Sequence, residues 1–207
     1  MNNGQILCDL AYAALLREEA ELKTLGDSNP GARPVSVILA GETGIDFMIM
    51  KEALRGPERP RVICEMEYQA SKASKVDICF VDSKDHPYAS FELKVLADFN
   101  TRGTGGWPSV CKDIEKHLRP SVQIRGAHDD AERHSALILI SEARKSREEL
   151  ERMIVANVST LLRDPVFWAS DPIELNRLQS TNPNAARWRY LHVVVFTGTY
   201  VGEKETA

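Results

Sequence analysis

The amino-acid sequence predicts one α/β domain: a central mixed β-sheet containing an antiparallel three-strand meander, with helices on its faces. Three observations carry that expectation. Apolar residues at helical spacing open the chain, from Ile6 to Leu22. Three strand-like runs follow between Arg61 and Leu96, separated only by short turns. Helical and strand patterns then alternate as far as Val201.

From Gln5 to about Leu25, Ile6, Leu10, Ala13, Ala14, Leu16 and Leu22 recur with a helical period, and Arg17, Glu18, Glu19 and Glu21 supply a solvated face. Asp27-Ser28-Asn29-Pro30-Gly31 breaks that helix. Val35 to Leu39 reads as a short strand, and Ile45 to Leu54 as a helix that stops before Gly56-Pro57. Strands are expected at Arg61 to Gln69, Lys75 to Asp82 and Tyr88 to Leu96, with His86-Pro87 in the turn between the last two. Asp98 to Gly106 is a glycine-rich loop, and Pro108 suits the first turn of a helix opening at Trp107. Val110, Ile114 and Leu118 form the buried stripe of that helix, while Lys112, Glu115, Lys116 and Arg119 face outward. Ser135 to Ser141 is a buried strand and Glu148 to Arg163 an amphipathic helix. Asp164-Pro165 and Asp171-Pro172 read as turns, and Arg189 to Val201 as the last strand. Within the single domain of residues 1–207, residues 1–60 read as a helical N-terminal extension, 61–140 as the core, and 141–207 as a C-terminal helix and strand.

At 43% hydrophobic and 27% charged, the composition is that of an ordinary globular domain. The net charge of −4 argues against a protein that coats nucleic acid over its whole surface. Any contact with phosphates must come from a local basic patch. Cys8, Cys64, Cys79 and Cys111 are scattered, with no CxxC pair, so they lack zinc-site spacing and read as free thiols in a reducing compartment. No secretory signal is visible and no apolar run is long enough to span a bilayer, so a cytoplasmic protein without membrane contact is expected. The sequence offers no GxxxxGK[ST] loop and no arguable Ser-His-Asp arrangement.

The chemistry concentrates in the meander. On its third strand Phe91, Leu93 and Val95 share one face, matched on the second strand by Val76, Ile78 and Phe80. Glu92 and Lys94 share the other face with Asp77. A tight turn centred between Lys84 and Asp85 sets Val81 opposite Tyr88, Cys79 opposite Ser90, and Asp77 opposite Glu92. Opposed residues have Cβ atoms about 4.5–5.5 Å apart. Two carboxylates that close repel unless a cation lies between them or one is protonated. A hard divalent ion with oxygen ligands is the economical solution, and Lys94 would project beside it.

An acid in one strand, Phe91-Glu92-Leu93-Lys94 in the next, and a helix after it resemble the PD-(D/E)XK superfamily, which includes restriction endonucleases and repair nucleases. The resemblance covers about Arg61 to Leu118 and implies a restriction-endonuclease-like, nuclease core. It also implies Mg²⁺ (or Mn²⁺) held by Asp77, Glu92 and the backbone carbonyl of Leu93, with Lys94 orienting or deprotonating the attacking water. Asp77 follows Val76 instead of Pro, a variation many members share. Many members add an upstream Glu. Glu67 is the first candidate, Glu65 on the same face the second, and Glu52 the third, although Glu52 alone reads as an exposed helix residue.

Lys72 and Lys75, flanking the Asp77 strand, and Lys112, Lys116 and Arg119 on the next helix are candidate nucleic-acid contacts. Residues 101–106 read as a connector or as a loop closing over substrate. His128 and His134 lie in a polar stretch and are not assigned to a metal. The expected function is metal-dependent hydrolysis of phosphodiester bonds in nucleic acid, DNA first. By family analogy, a homodimer would let two sites reach two strands. The alternative is a non-catalytic binding or assembly protein on the same fold, in which the carboxylates and Lys94 form a structural ion cluster.

Overall fold

The computed structural model describes residues 2–28, 36–37, 41–56, 58–69, 71–97, 106–176 and 187–201, with backbone alone at 71–73. These residues form α1 (Asn3–Ser28), α2 (Gly41–Ala53), β1 (Arg61–Tyr68), β2 (Ser71–Val81), β3 (Pro87–Ala97), α3 (Trp107–Leu118), β4 (Glu132–Ser141), α4 (Arg147–Val158), β5 (Leu162–Ala169), β6 (Ile173–Glu174) and β7 (Tyr190–Tyr200). The strands make one mixed sheet in the order β1-β2-β3-β4-β7-β5, with β6 paired to β7. The β1-β2-β3 meander is antiparallel, β3 and β4 run parallel, and β7 is antiparallel to both β4 and β5. The fold is therefore α/β with a central mixed sheet, as the element order predicts. No described helix is long and apolar enough to cross a membrane.

The middle of the sheet is apolar on both sides because it is covered on both sides. Ala136, Ile138, Ile140, Val193 and Val195 pack against α1 and α2 through Leu7, Leu15, Ile45 and Ile49. Their neighbours Leu137, Leu139, Val194 and Phe196 point the other way, onto Val110 and Ile114 of α3 and Leu150, Ile154 and Val158 of α4. Each fully buried side chain of this kind stabilises the fold by about 1.5–3 kcal/mol. The start of α1 lies so close to the sheet that a Cβ at Gly4 would overlap the Trp168 ring, which is why glycine stands there. A capping box starts α4: Ser146 Oγ accepts the Glu149 N–H at 3.2 Å, and Glu149 Oε2 accepts the Ser146 N–H at 2.7 Å.

Several boundaries differ from expectation. α2 begins at Gly41 instead of Ile45, and β2 and β4 begin at Ser71 and Glu132. The strand expected at Val35 to Leu39 lies outside the described residues except for Ser36 and Val37, and neither of these is in a strand. The loop expected at Asp98 to Gly106 likewise lies outside them except for Gly106. The largest correction follows α4. That helix ends at Val158, and the Asp164-Pro165 pair, read as a turn, sits inside β5. There the pairing with β7 shifts between Arg163 and Val166, and Asp164 has φ 50°. A proline without an N–H is tolerated at a bulge on an edge strand, and β5 is the edge.

Candidate functional site

The β2–β3 pairing meets expectation in its middle, at Cys79↔Ser90, and departs from it at both ends. Near the turn a register shift sets Val81 opposite Pro87, not Tyr88. At the other end the ladder stops at Ile78↔Phe91, so Asp77 and Glu92 are not a ladder pair, while β3 continues to Ala97. Backbone groups released by such a fork need new partners. Leu93 N donates to Asp77 Oδ2 at 2.7 Å, and Val95 N donates to Glu42 Oε1 at 3.1 Å. Two carboxylates thus replace the missing strand. In extended backbone the Leu93 carbonyl projects to the same side as its N–H, toward the fork.

The strands are also irregular on the β1 side. By the register that pairs Cys64 with Ile78 and Met66 with Val76, Glu65 lies opposite Asp77, and its φ is 60°. That left-handed backbone costs an ordinary residue about 1–2 kcal/mol. Val76 packs with Tyr68, Cys79, Val81 and Ile124, and not with Ile78 and Phe80 as simple alternation predicts. The alternation fails on passing Asp77.

Helices complete the cluster. On α2, Glu42 and Asp46 are one turn apart and so share a face. Asp46 is buried, and its Oδ1 has no hydrogen-bond partner. Burial pushes its carboxyl up to about 7, with the charges of Asp77, Glu42 and Glu65 adding to the effect. On α3, Asp113, Lys116 and His117 form another face. Asp113 Oδ2 lies 3.0 Å from Lys94 Nζ, and Lys116 Nζ lies 3.0 Å from Glu92 Oε1. Tyr68 also donates its hydroxyl to Glu92, and His117 Nδ1 is 2.9 Å from that same hydroxyl oxygen. The Lys116 ammonium sits 4.8 Å from the centre of the Tyr68 ring, in cation–π range. His117 is fully buried, which drives its pKa down to about 3 and keeps the ring neutral.

Burial raises the pKa of both Asp77 and Glu92. Glu92 is pushed up to about 7 by burial and then by the Asp77 charge, against the opposing effects of Tyr68 and Lys116. Asp77 is raised by burial, against the Leu93 N–H and a hydrogen bond with Glu92. Both carboxyls therefore take up a proton more readily than they would in water. Lys94 is different. Burial would lower its pKa, but Asp113 and Glu42 outweigh that and hold it above the usual range. It stands as an ammonium 3.3 Å from Glu42, suited to offsetting negative charge and poorly suited to accepting a proton.

The upstream acids named from the sequence stand in ion pairs. Glu67 pairs with Arg125 at 3.1 Å and Glu65 with Lys75 at 2.9 Å, so both β1 candidates and Lys75 are already engaged in ion pairs. Glu52 is buried, not exposed, among Arg17, Arg55 and Arg59. Glu65 still acts on the cluster through its charge on Asp46, and Asp46 and Glu42 on α2 join it. Their four-residue spacing is the available signal, hidden because the helical pattern reads as starting only at Ile45 while α2 starts at Gly41. Lys116 belongs to the cluster itself through Glu92. With Lys112 and Arg119 it lines a cavity of about 340 Å³ beside Tyr68. The Lys72 side chain lies outside the described residues.

The donor set fits a hard divalent cation. It is made of oxygens, burial raises the carboxyls of Asp77, Glu92 and Asp46, and Asp46 carries a buried oxygen without a partner. As they stand, Asp46, Asp77 and Glu92 are not gathered tightly. Among the described residues, the group whose three ligand atoms lie within 4.8 Å of one another is Asp82, His86 and His128. Comparison of the chain with known protein families, with curated proteins and with solved structures returned no match.

Proposed function

We propose that this chain is a metal-dependent nuclease hydrolysing phosphodiester bonds of nucleic acid, with DNA as the first substrate to test. One observation carries the reading: where the β2–β3 ladder stops, the Asp77 charge acts on both the buried Glu92 and the buried Asp46, and Asp46 has an oxygen without a partner. Buried carboxylates without a compensating charge are costly, and a cation removes the cost. Asp77, Glu92, Asp46 and the Leu93 carbonyl would hold it. When bound, Mg²⁺ or Mn²⁺ would supply polarisation of a water molecule and of a phosphate oxygen.

The chain's own groups do the rest. Asp77 and Glu92 would release to solvent any proton that burial keeps on them and present ionised oxygens. Lys94, fixed by Asp113 and Glu42, offsets charge building on the phosphate oxygens. Lys116 holds Glu92 in place from α3. Lys112 and Arg119, beside the 340 Å³ cavity, meet neighbouring phosphates and give an acidic protein its local basic patch. A homodimer presenting two such sites to two strands belongs to the same proposal.

The test is cleavage of supercoiled plasmid and of single-stranded DNA and RNA in Mg²⁺ or Mn²⁺, comparing the native chain with Asp77→Asn and Lys94→Ala. Divalent-dependent cleavage lost in both folded variants supports the reading; no cleavage by the native chain under any of these conditions overturns it. The satisfied state of Lys94 favours a second reading, in which the cluster is a structural ion network of a non-catalytic binding or assembly protein. On that reading Lys94→Ala costs stability, and there is no cleavage to lose.

A further inference from the structure

The opposite end of the β2–β3 hairpin carries ligand-type side chains that the proposed nuclease site does not use. Asp82 follows Asp77 by five positions, which in extended backbone is roughly 16 Å. Asp82, His86 and His128 each offer one ligand atom, and the three atoms lie within 4.8 Å of one another. Asp82 Oδ2 is 3.3 Å from His128 Nε2 and 3.8 Å from His86 Nδ1.

Backbone hydrogen bonds fix this arrangement in advance. The other carboxylate oxygen, Asp82 Oδ1, accepts the Lys84 N–H at 2.7 Å and the His86 N–H at 2.9 Å. Asp82 N donates to His86 O at 3.0 Å, and Asp85 closes the turn with φ 63°. The carboxylate is thereby locked, with Oδ2 turned to the imidazoles, and the same N–H groups hold its pKa below the usual range. His128 is brought in from another segment and anchored there, its N–H donating to Pro87 O at 2.9 Å. The two imidazole rings stand edge to face at 82°, centroids 5.9 Å apart.

We propose that Asp82, His86 and His128 form a binding site for a divalent transition-metal ion of the Zn²⁺ type, with three protein ligands and the remaining position left to water. Ligands about 2.0–2.1 Å from a tetrahedral ion stand roughly 3.3 Å apart. The Asp82–His128 separation of 3.3 Å already meets that, and the exposed His86, 3.8 Å from Asp82 and within 4.8 Å of His128, has to close on both. Two nitrogens and one oxygen select Zn²⁺ over Mg²⁺, whereas the all-oxygen fork selects the reverse. The ion would tie the β2–β3 turn to the segment that precedes β4. His128 also lines a cavity of about 660 Å³, with Gln69, Gln123, Arg125 and Arg133, so filling the site fixes one wall of it.

The experiment is Zn²⁺ titration of the full chain against a chromophoric chelator in excess Mg²⁺, with His86→Ala, His128→Ala and Asp77→Asn alongside. The native chain and Asp77→Asn bind one Zn²⁺ with equal affinity. Each histidine variant binds at least about ten-fold more weakly, since even the loss of an outer-shell partner costs that much. Zn²⁺ raises the melting temperature of the native chain and of Asp77→Asn but not of His128→Ala, a surface change that leaves the core intact. Equal Zn²⁺ affinity in the native chain and both histidine variants overturns the site. Loss of binding in Asp77→Asn alone assigns the ion to the fork and also overturns it.

Discussion

Glu52 and Asp46 lie on one helix, α2, and both are buried, yet they stand in opposite electrostatic states. Burial alone would raise the pKa of Glu52. Hydrogen bonds from Arg17 and Arg59 outweigh it and hold the group below the usual carboxylate range. Asp46 has no arginine: burial and three neighbouring acids push it up to about 7, and one oxygen is left bare. What differs is the partner, not the burial. The Glu52 cluster is complete as it stands. In the other cluster Lys116 reaches Glu92 alone, while Asp46 is complete only with a proton or a cation, and that distinguishes a candidate site from a structural ion cluster.

The largest expected effect tests the contrast through activity. Asp77→Asn should lower plasmid cleavage by about 10³-fold or more, as removal of a group that holds charge at the reacting phosphate does. Glu52→Gln should leave the rate per folded molecule unchanged, and equal losses would erase the difference between the two clusters. Lys94→Ala comes next, with a loss of about 10²-fold in initial rate and little change in Mn²⁺ affinity measured by calorimetry.

Stability should show the reverse order. In urea titrations of metal-free protein, Glu52→Gln should cost about 1–3 kcal/mol, tempered by the solvent exposure of its arginines. Asp46→Asn should cost nothing or stabilise, because it removes a buried charge without a partner. The smallest effect is in pH. Asp46 and Glu92 titrate at about 7 in the folded chain, against ordinary values of 3.8 and 4.5. The folded chain therefore binds more protons between about pH 4 and pH 7, and metal-free stability falls as pH rises through that window. Glu52 contributes with the opposite sign: its stabilisation is present above the ordinary carboxylate range and is lost as pH falls through its depressed value. Asp46→Asn should flatten the neutral-side slope, and cleavage at fixed Mg²⁺ should rise as pH passes about 7.

Asp77, Glu92 and Lys94 stand out in the sequence because charges interrupt apolar strands; period-two alternation relates Glu92 to Lys94 but breaks at Asp77. Their partners do not. Glu42, Asp46, Asp113 and Lys116 come from helices, and local spacing does not say how a helix is rotated against a strand. The meander and β4 are legible from their patterns. The fork is not, since pairing that stops early leaves no mark on the alternation beforehand. Glu52 reads as exposed in the sequence because the arginine most remote from it along the chain, Arg17, comes from α1. β5 is hidden for a different reason: Asp164-Pro165 has the residues of a turn, and the chain uses them for a bulge on an edge strand.

The most direct measurement is anomalous diffraction from crystals soaked in millimolar Mn²⁺. A peak at the fork, bridging Asp77 and Glu92 with Asp46 drawn toward it, is the expected result. An empty fork at that concentration would contradict the account.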